Sequence, residues 1–372
     1  AIADLLDNVA KVQVDEKVLV FAHYDGLQGS ENLVDKQTID WLAQAVQARG
    51  AQVSVLWMDV PDQPHNWGIP QVLKEAMRGC DVFINHSFNY VTEENRILRD
   101  YFLELGLRYV RNFATTVSLV QSDWALTPSD LVAEIRYRAS EMIMVGAPFT
   151  LTDPNGTDIE GTIAAPGHMW FPQYACRREE GGGYLPWPEW VHPPINLSGV
   201  SGIYVFDRML SYWSRYIGIK PFFNEPVRLE IRDGIIENFV GGEEADAILR
   251  FIKYMETEHG VTRRYEFNTM HSGVHPNAGV TEDICADPNY RRMIEHAHTS
   301  NIHSHIGAEH GEKNKGYPYW LHITADIREP TWKVGDTLVH DRGYLTAMDH
   351  AEVRKVAAKY PDRPGLPEMT HG

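Results

Sequence analysis

Residues 17–60 read KVLVFAHYDGLQGSENLVDKQTIDWLAQAVQARGAQVSVLWMDV. The first nine are a compact apolar run that ends in polar residues, the pattern of a parallel strand buried on both faces. Residues 37–50 space their apolar side chains along one helical face and stop at Gly50, a helix-end signal. Residues 51–60 form the next strand. Strand, helix and strand in this order predict a βαβ unit, one half of a doubly wound sheet.

Working outward, the alternation recurs through 72–87, 95–113 and 129–146. Residues 1–147 are therefore expected to fold as an α/β, Rossmann-like, doubly wound domain. The glycines at 25–33 (DGLQGSENL) match neither GxGxxG nor a Walker motif, so that segment reads as a plain connecting loop with no nucleotide. From about 150 the texture changes. Residues 149–163 and 227–242 read as hairpins around Asn155-Gly156 and Asp233-Gly234. Residues 183–199, rich in Pro and Trp, suit an ordered loop. Residues 243–260 form an amphipathic helix that opens with acids and closes on Gly260. Residues 148–372 are expected to be a β-rich α+β domain that binds the metal and carries the chemistry. No internal repeat or low-complexity segment interrupts either part.

Length and composition agree with two domains. The chain has 372 residues, 43% hydrophobic and 23% charged, which is the balance of a globular protein. Its net charge of −17 opposes a nucleic-acid backbone or an anionic membrane as partner, because both need basic stripes. Cys80, Cys176 and Cys285 lie far apart and form no CxxC pair, as suits a reducing cytoplasm. No apolar run is long enough for a transmembrane helix. The opening Ala-Ile-Ala-Asp lacks the basic and apolar regions of a signal peptide, so none is expected there.

Ten of the 17 histidines fall between 259 and 340, and that concentration points to a metal. Neutral imidazole is the commonest protein metal ligand, and a catalytic mononuclear site needs about three protein ligands with positions left open. In a strand, residues i and i+2 share a face. By that rule His303 and His305 point together, and so do His322 and Thr324, with Asp326 further along the same side. His271 precedes Ser272-Gly273, where a strand gives way to a turn. His296 and His298 sit at a helix end, where the dipole alone favours them. His275, His310 and His340 lie in polar, turn-like surroundings and read as surface residues. Nothing like HExxH is present.

The strings MHSGVHPNAG (270–279), NIHSHIG (301–307) and LHITADIREPTWKVGDTLV (321–339), in this order, resemble the 2,5-dihydroxypyridine 5,6-dioxygenase family. That family is similar in fold to the aminopeptidase T-type metallopeptidases. The resemblance runs over most of the chain and includes DEKVLVFAHYD and the block from 227 to 255. It implies an aminopeptidase T-type fold and one non-haem Fe(II) held by two His and one Asp. His271 matches the first ligand, in a His-x-Gly segment. His322 matches the second, in a His-x-Asp strand, but Thr324 stands where the Asp is expected. A threonine hydroxyl brings neither the charge nor the strong oxygen donor of a carboxylate. His305 offers a repair, because the related metallopeptidases place a ligating His in a similar segment. Asp326 is the alternative third ligand, and would need a bulge to come two residues closer.

Tyr90 lies near where the dioxygenases place a basic His. His86, four residues earlier, and Glu309 are the other candidate bases. His192 and Trp187 are expected to line the substrate cleft, with Thr324 beside the metal. Glu244 reads as a helix N-terminal acid or, in a hydrolase, as a base. The implied enzyme is a cytoplasmic, homo-oligomeric, Fe(II)-dependent extradiol-type dioxygenase of aromatic catabolism. It would open a hydroxylated aromatic or pyridine-type ring with O2. The alternative is a metallohydrolase in which Zn, Co or Mn activates water, acting as an aminopeptidase or on a ring amide or amine.

Overall fold

The structure is a computed structural model that describes residues 1–23, 34–58, 70–86, 101–102, 104–165, 184–188, 191, 194–210, 220–261, 265–307, 321 and 323–367. Two sheets organise it. The first is parallel and five-stranded, in the order β2-β1-β3-β4-β7. These strands are β1 (Lys17–His23), β2 (Gln52–Met58), β3 (Val82–His86), β4 (Arg108–Asn112) and β7 (Tyr184–Trp187). Side chains alternate across each strand, and helices cover both faces. Val18, Val20 and Ala22 pack with Ile39, Leu42 and Val46 of the helix Lys36–Gln47. Leu19 and Phe21 pack with Leu73 and Met77 of the helix Gln71–Arg78. Burial on both faces is why 18–22 is a continuous apolar run with no polar alternation.

The second sheet is large and antiparallel, in the order β11-β12-β13-β8-β6-β5-β14-β15-β16, with β9 and β10 branching from β8. Its members are β5 (Pro148–Thr152), β6 (Asp158–Ile163), β8 (Ile195–Leu210), β9 (Phe222–Arg232), β10 (Ile235–Val240), β11 (Thr269–Ser272), β12 (Asn301–Ile306), β13 (Ile323–Arg328), β14 (Thr331–Val334), β15 (Thr337–Asp341) and β16 (Tyr344–Leu345). The β9–β10 turn has Asp233 at φ 50° and Gly234 at φ 76°, the two positive φ values that a type I′ hairpin requires. The helix Glu243–His259 ends on Gly260 in the left-handed conformation, as its sequence predicts.

Two features depart from the sequence reading. The Pro/Trp-rich stretch expected as a loop contributes β7, which pairs with β4 at the rim of the parallel sheet. An edge strand tolerates Pro186, whose missing N–H leaves no ladder bond unmade on the open side. Both cores also recruit chain from across the division expected at 147/148. Leu131, Val132, Ile135 and Ala139 of the helix Ser129–Glu141 pack in the antiparallel-sheet core. Tyr290, Met293 and Ile294 of the helix Pro288–His296 pack in the parallel-sheet core. Among the described residues, no helix is long and apolar enough to cross a membrane.

Candidate metal centre

The site is built from the alternation of three neighbouring strands. In β12, Ile302 and Ile306 enter the antiparallel-sheet core, together with Met270 of β11 and Ile323, Ala325 and Ile327 of β13. The residues between them must then face the other way. Register brings those residues into rows, with His271 opposite His303 and His303 opposite Asp326. Asp326 in turn lies opposite Arg208 of β8, and His305 lies opposite Thr324. One sheet face thus gathers three histidines, a threonine, Asp326 and Arg208, which the sequence scatters over more than a hundred positions.

The imidazoles of His271, His303 and His305 are buried, and one nitrogen from each lies within 4.8 Å of the others. Ring centroids are 4.6 Å apart for His271–His303, 4.8 Å for His271–His305 and 5.4 Å for His303–His305. Three neutral imidazoles at this spacing are a donor set suited to a first-row divalent metal with open positions.

Asp326 does not repair the missing carboxylate in the way the sequence suggested. The β12–β13 register runs without a shift from Asn301↔Arg328 to Ile306↔Ile323, so no bulge is present. Its side chain is fully buried and paired with the equally buried Arg292, and it lies 2.7 Å from His296 Nδ1. Burial alone would raise the Asp326 carboxyl. Arg292, and then His296, outweigh burial and hold it below the usual carboxylate range. Arg292 and His296 stand four residues apart, on one face of their helix, and both reach the same carboxylate. That i, i+4 pair was the available sign that His296 does more than stabilise a helix end.

The other expected residues divide. His86 ends β3 inside the parallel-sheet domain, with Nε2 2.9 Å from Thr38 Oγ1 and Nδ1 2.6 Å from Asn112 Nδ2. Asn112 Oδ1 accepts from the Ala114 N–H, so the Asn112 amide donates to His86 Nδ1. Burial pushes this imidazole down to about 4. With both ring nitrogens bonded and no open face, His86 is placed as a structural neutral histidine. Trp187 is likewise interior, its indole N–H donating to Asp4 Oδ2 at 3.0 Å, and it packs in the parallel-sheet core. Thr324 is buried on the histidine face. Glu244 is buried and accepts from the Asn224 N–H at 2.8 Å, tying its helix to β9. Tyr90, His192, Glu309, His310 and His322 lie outside the described residues. His275 and His340, expected at the surface, are fully buried, and His340 Nε2 lies 2.9 Å from Ser272 Oγ.

Gly273 closes β11 beside His271. A Cβ there would lie 2.0 Å from the His298 carbonyl oxygen. Gly273→Ala must push β11 away from the 297–298 turn, so a loss of roughly 1–3 kcal/mol is expected, as for overpacked cores. Urea unfolding of the variant checks it, and a loss below about 0.5 kcal/mol, the scale of a neutral surface change, would show that the turn yields freely.

No protein-family model matches the chain, and no curated protein matches it by sequence. Solved structures do. A 2,5-dihydroxypyridine dioxygenase from Pseudomonas putida KT2440 matches with a TM-score of 0.64 at 16% identity, covering 92% of this chain and 96% of that one. Wild-type AmpT from Thermus thermophilus matches with a TM-score of 0.50 at 13% identity, covering 92% and 98%. The fold is theirs. The aminopeptidase T-like fold extends over nearly the whole chain, with the parallel-sheet domain and the antiparallel sheet both included.

Proposed function

We propose that this protein is a metal-dependent enzyme that holds Fe(II) on His271, His303 and His305. We propose further that it opens a hydroxylated aromatic or N-heteroaromatic ring with O2. The observation that carries the reading is the buried group of three imidazole nitrogens, beside a carboxylate already committed to Arg292. A ferrous ion there would supply redox chemistry and the open positions that O2 and a deprotonated ring oxygen require. His303 joins His271 and His305 in the ligand set because register sets it against His271, while His322, the ligand expected from sequence, lies outside the described residues. The Thr324 hydroxyl, opposite His305, is suited to orient the ring. The proton of the ring hydroxyl falls to Tyr90 or Glu309, since both nitrogens of His86 are bonded elsewhere. His192 remains the proposed cleft residue, while Trp187 serves packing. Both atoms of O2 enter the product as one ring C–C bond breaks. The reading keeps a small aromatic substrate, a cytoplasmic setting and a homo-oligomer as its companions.

The same donor set suits Zn2+ with an activated water, and the AmpT likeness makes a hydrolase the competitor. Metal analysis after anaerobic purification separates the two. About one iron per chain is expected in the wild type, with loss of most of it in His271→Ala, His303→Ala and His305→Ala, since each removes one of about three ligands. His322→Ala, run alongside, tells whether the ligand expected from sequence also holds the ion. Oxygen uptake should accompany loss of a dihydroxylated pyridine or benzene. Zinc without iron, and no oxygen uptake on any such ring, would leave the hydrolase standing.

A further inference from the structure

The helix Pro288–His296 lies against β8 and β12, and its last turn contributes groups that the proposed ligand set does not use. Arg292 pairs with Asp326, both fully buried, and Asp326 Oδ1 lies 2.7 Å from His296 Nδ1. A carboxylate can only accept, so this contact sets the proton of a neutral His296 on Nδ1. The His296 ring lies 3.7 Å from the His303 ring, centroid to centroid, tilted by 33°. The His271 ring lies 4.6 Å from His303, tilted by 11°. His303 therefore lies against both the His271 ring and the His296 ring.

His296 is a neighbour of the three-imidazole group and not a fourth member. The close groups His271–His303–His305 and His296–His303–Asp326 have only His303 in common. Nor does the second group read as a cation site of its own. The Arg292 guanidinium already sits on the Asp326 carboxylate, and a second cation on the same buried group would be repelled by it. What the second group can do is restrict a ring. The χ2 torsion of a histidine is broad, so a strand fixes where His303 starts but not the direction of its nitrogens. A stacked ring tethered through its own Nδ1 to a buried ion pair removes that freedom.

We propose, resting on the reading of His271, His303 and His305 as metal ligands, that Arg292, Asp326 and His296 form a positioning unit that fixes the ring plane of His303. Metal affinity should therefore depend on residues that do not touch the metal. Full-length protein, stripped of metal, would be titrated with Co2+ against a competing chelator while its visible absorption band is followed. Wild type, His296→Phe and Asp326→Asn are compared, with circular dichroism and urea unfolding of the metal-free forms to verify folding. His296→Phe keeps a ring in the stack and removes the tether, so it decides the matter even if Asp326→Asn does not fold.

All folded forms should bind about one Co2+ per chain, with Kd raised roughly 10–100-fold in the variants, the effect of losing an outer partner of a metal ligand. The cobalt band should shift as well. A Kd for folded His296→Phe within about twofold of wild type, against that roughly 10–100-fold expectation, overturns the proposal and leaves the unit merely structural. Two Co2+ in the wild type, with one lost in His296→Phe, overturns it in favour of a second metal at His296–His303–Asp326. A wild type that binds no Co2+ removes the ligand reading itself, and that failure is seen without any variant.

Discussion

Asp326→Leu is expected to destabilise the folded protein by roughly 3–5 kcal/mol, the cost of breaking a buried ion pair from one side. The reason is Arg292. Its side chain has no solvent exposure, and Asp326 is its close carboxylate. Glu295 Oε2 stands farther off, 3.7 Å from Nη1. Leucine would leave the guanidinium desolvated and unbalanced, and would deprive His296 of its acceptor. Arg292→Met made together with Asp326→Leu removes both charges, and most of the loss should return, because a buried pair gains little over apolar residues of similar size. Urea unfolding of the two single variants and the double variant closes the cycle. A single-variant loss below about 1 kcal/mol, the scale of an exposed ion pair, would mean that water reaches Arg292 and that the pair is not the anchor described. At saturating Co2+ the double variant should still hold about one ion per chain, since Asp326 is assigned outside the ligand set.

Acid should unfold the protein well before ordinary carboxylates titrate. Burial holds His86 at about 4, and His275 and His340 at about 3. For His275 the nearby His298 adds to the effect of burial. The unfolded chain takes up these protons near 6.5, the folded chain only far below, so the unfolded state binds more protons throughout that window. Stability is then level above about pH 6.5 and falls as pH drops towards 4, by about 1.4 kcal/mol per pH unit for each imidazole. Three such groups could exhaust a stability of roughly 5–15 kcal/mol before pH 4. Asp326 acts in a separate, lower window. Its folded carboxyl lies below the usual range, so its contribution is lost only as pH falls through about 4 and beneath. Thermal unfolding between pH 8 and 4.5 checks this, with His340→Gln expected to lessen the slope by about one imidazole's share. A wild-type Tm unchanged from pH 7.5 to 5 would show that these histidines charge without unfolding the chain.

Much of the architecture was legible along the chain because its causes are local. A run buried on both faces followed by a helix that stops at Gly50 announced the parallel sheet, and Asp233-Gly234 announced a hairpin, since only a few residues tolerate both positive φ values. The period of two in NIHSHI put His303 and His305 on one face before any partner strand was known. What that face meets is a matter of register and packing between distant segments. His303 stands opposite His271 because β11 and β12 pair antiparallel in one register, and a shift of one residue would have sent the histidines into the core. Asp326 ranked as a spare ligand until a helix ending thirty residues earlier brought Arg292 and His296 onto it. His275 and His340 looked superficial among polar neighbours, yet chain from elsewhere covers them. Periodicity is carried by consecutive residues and can be read from them. Burial and charge pairing belong to residues far apart in the chain, and only the folded structure decides them.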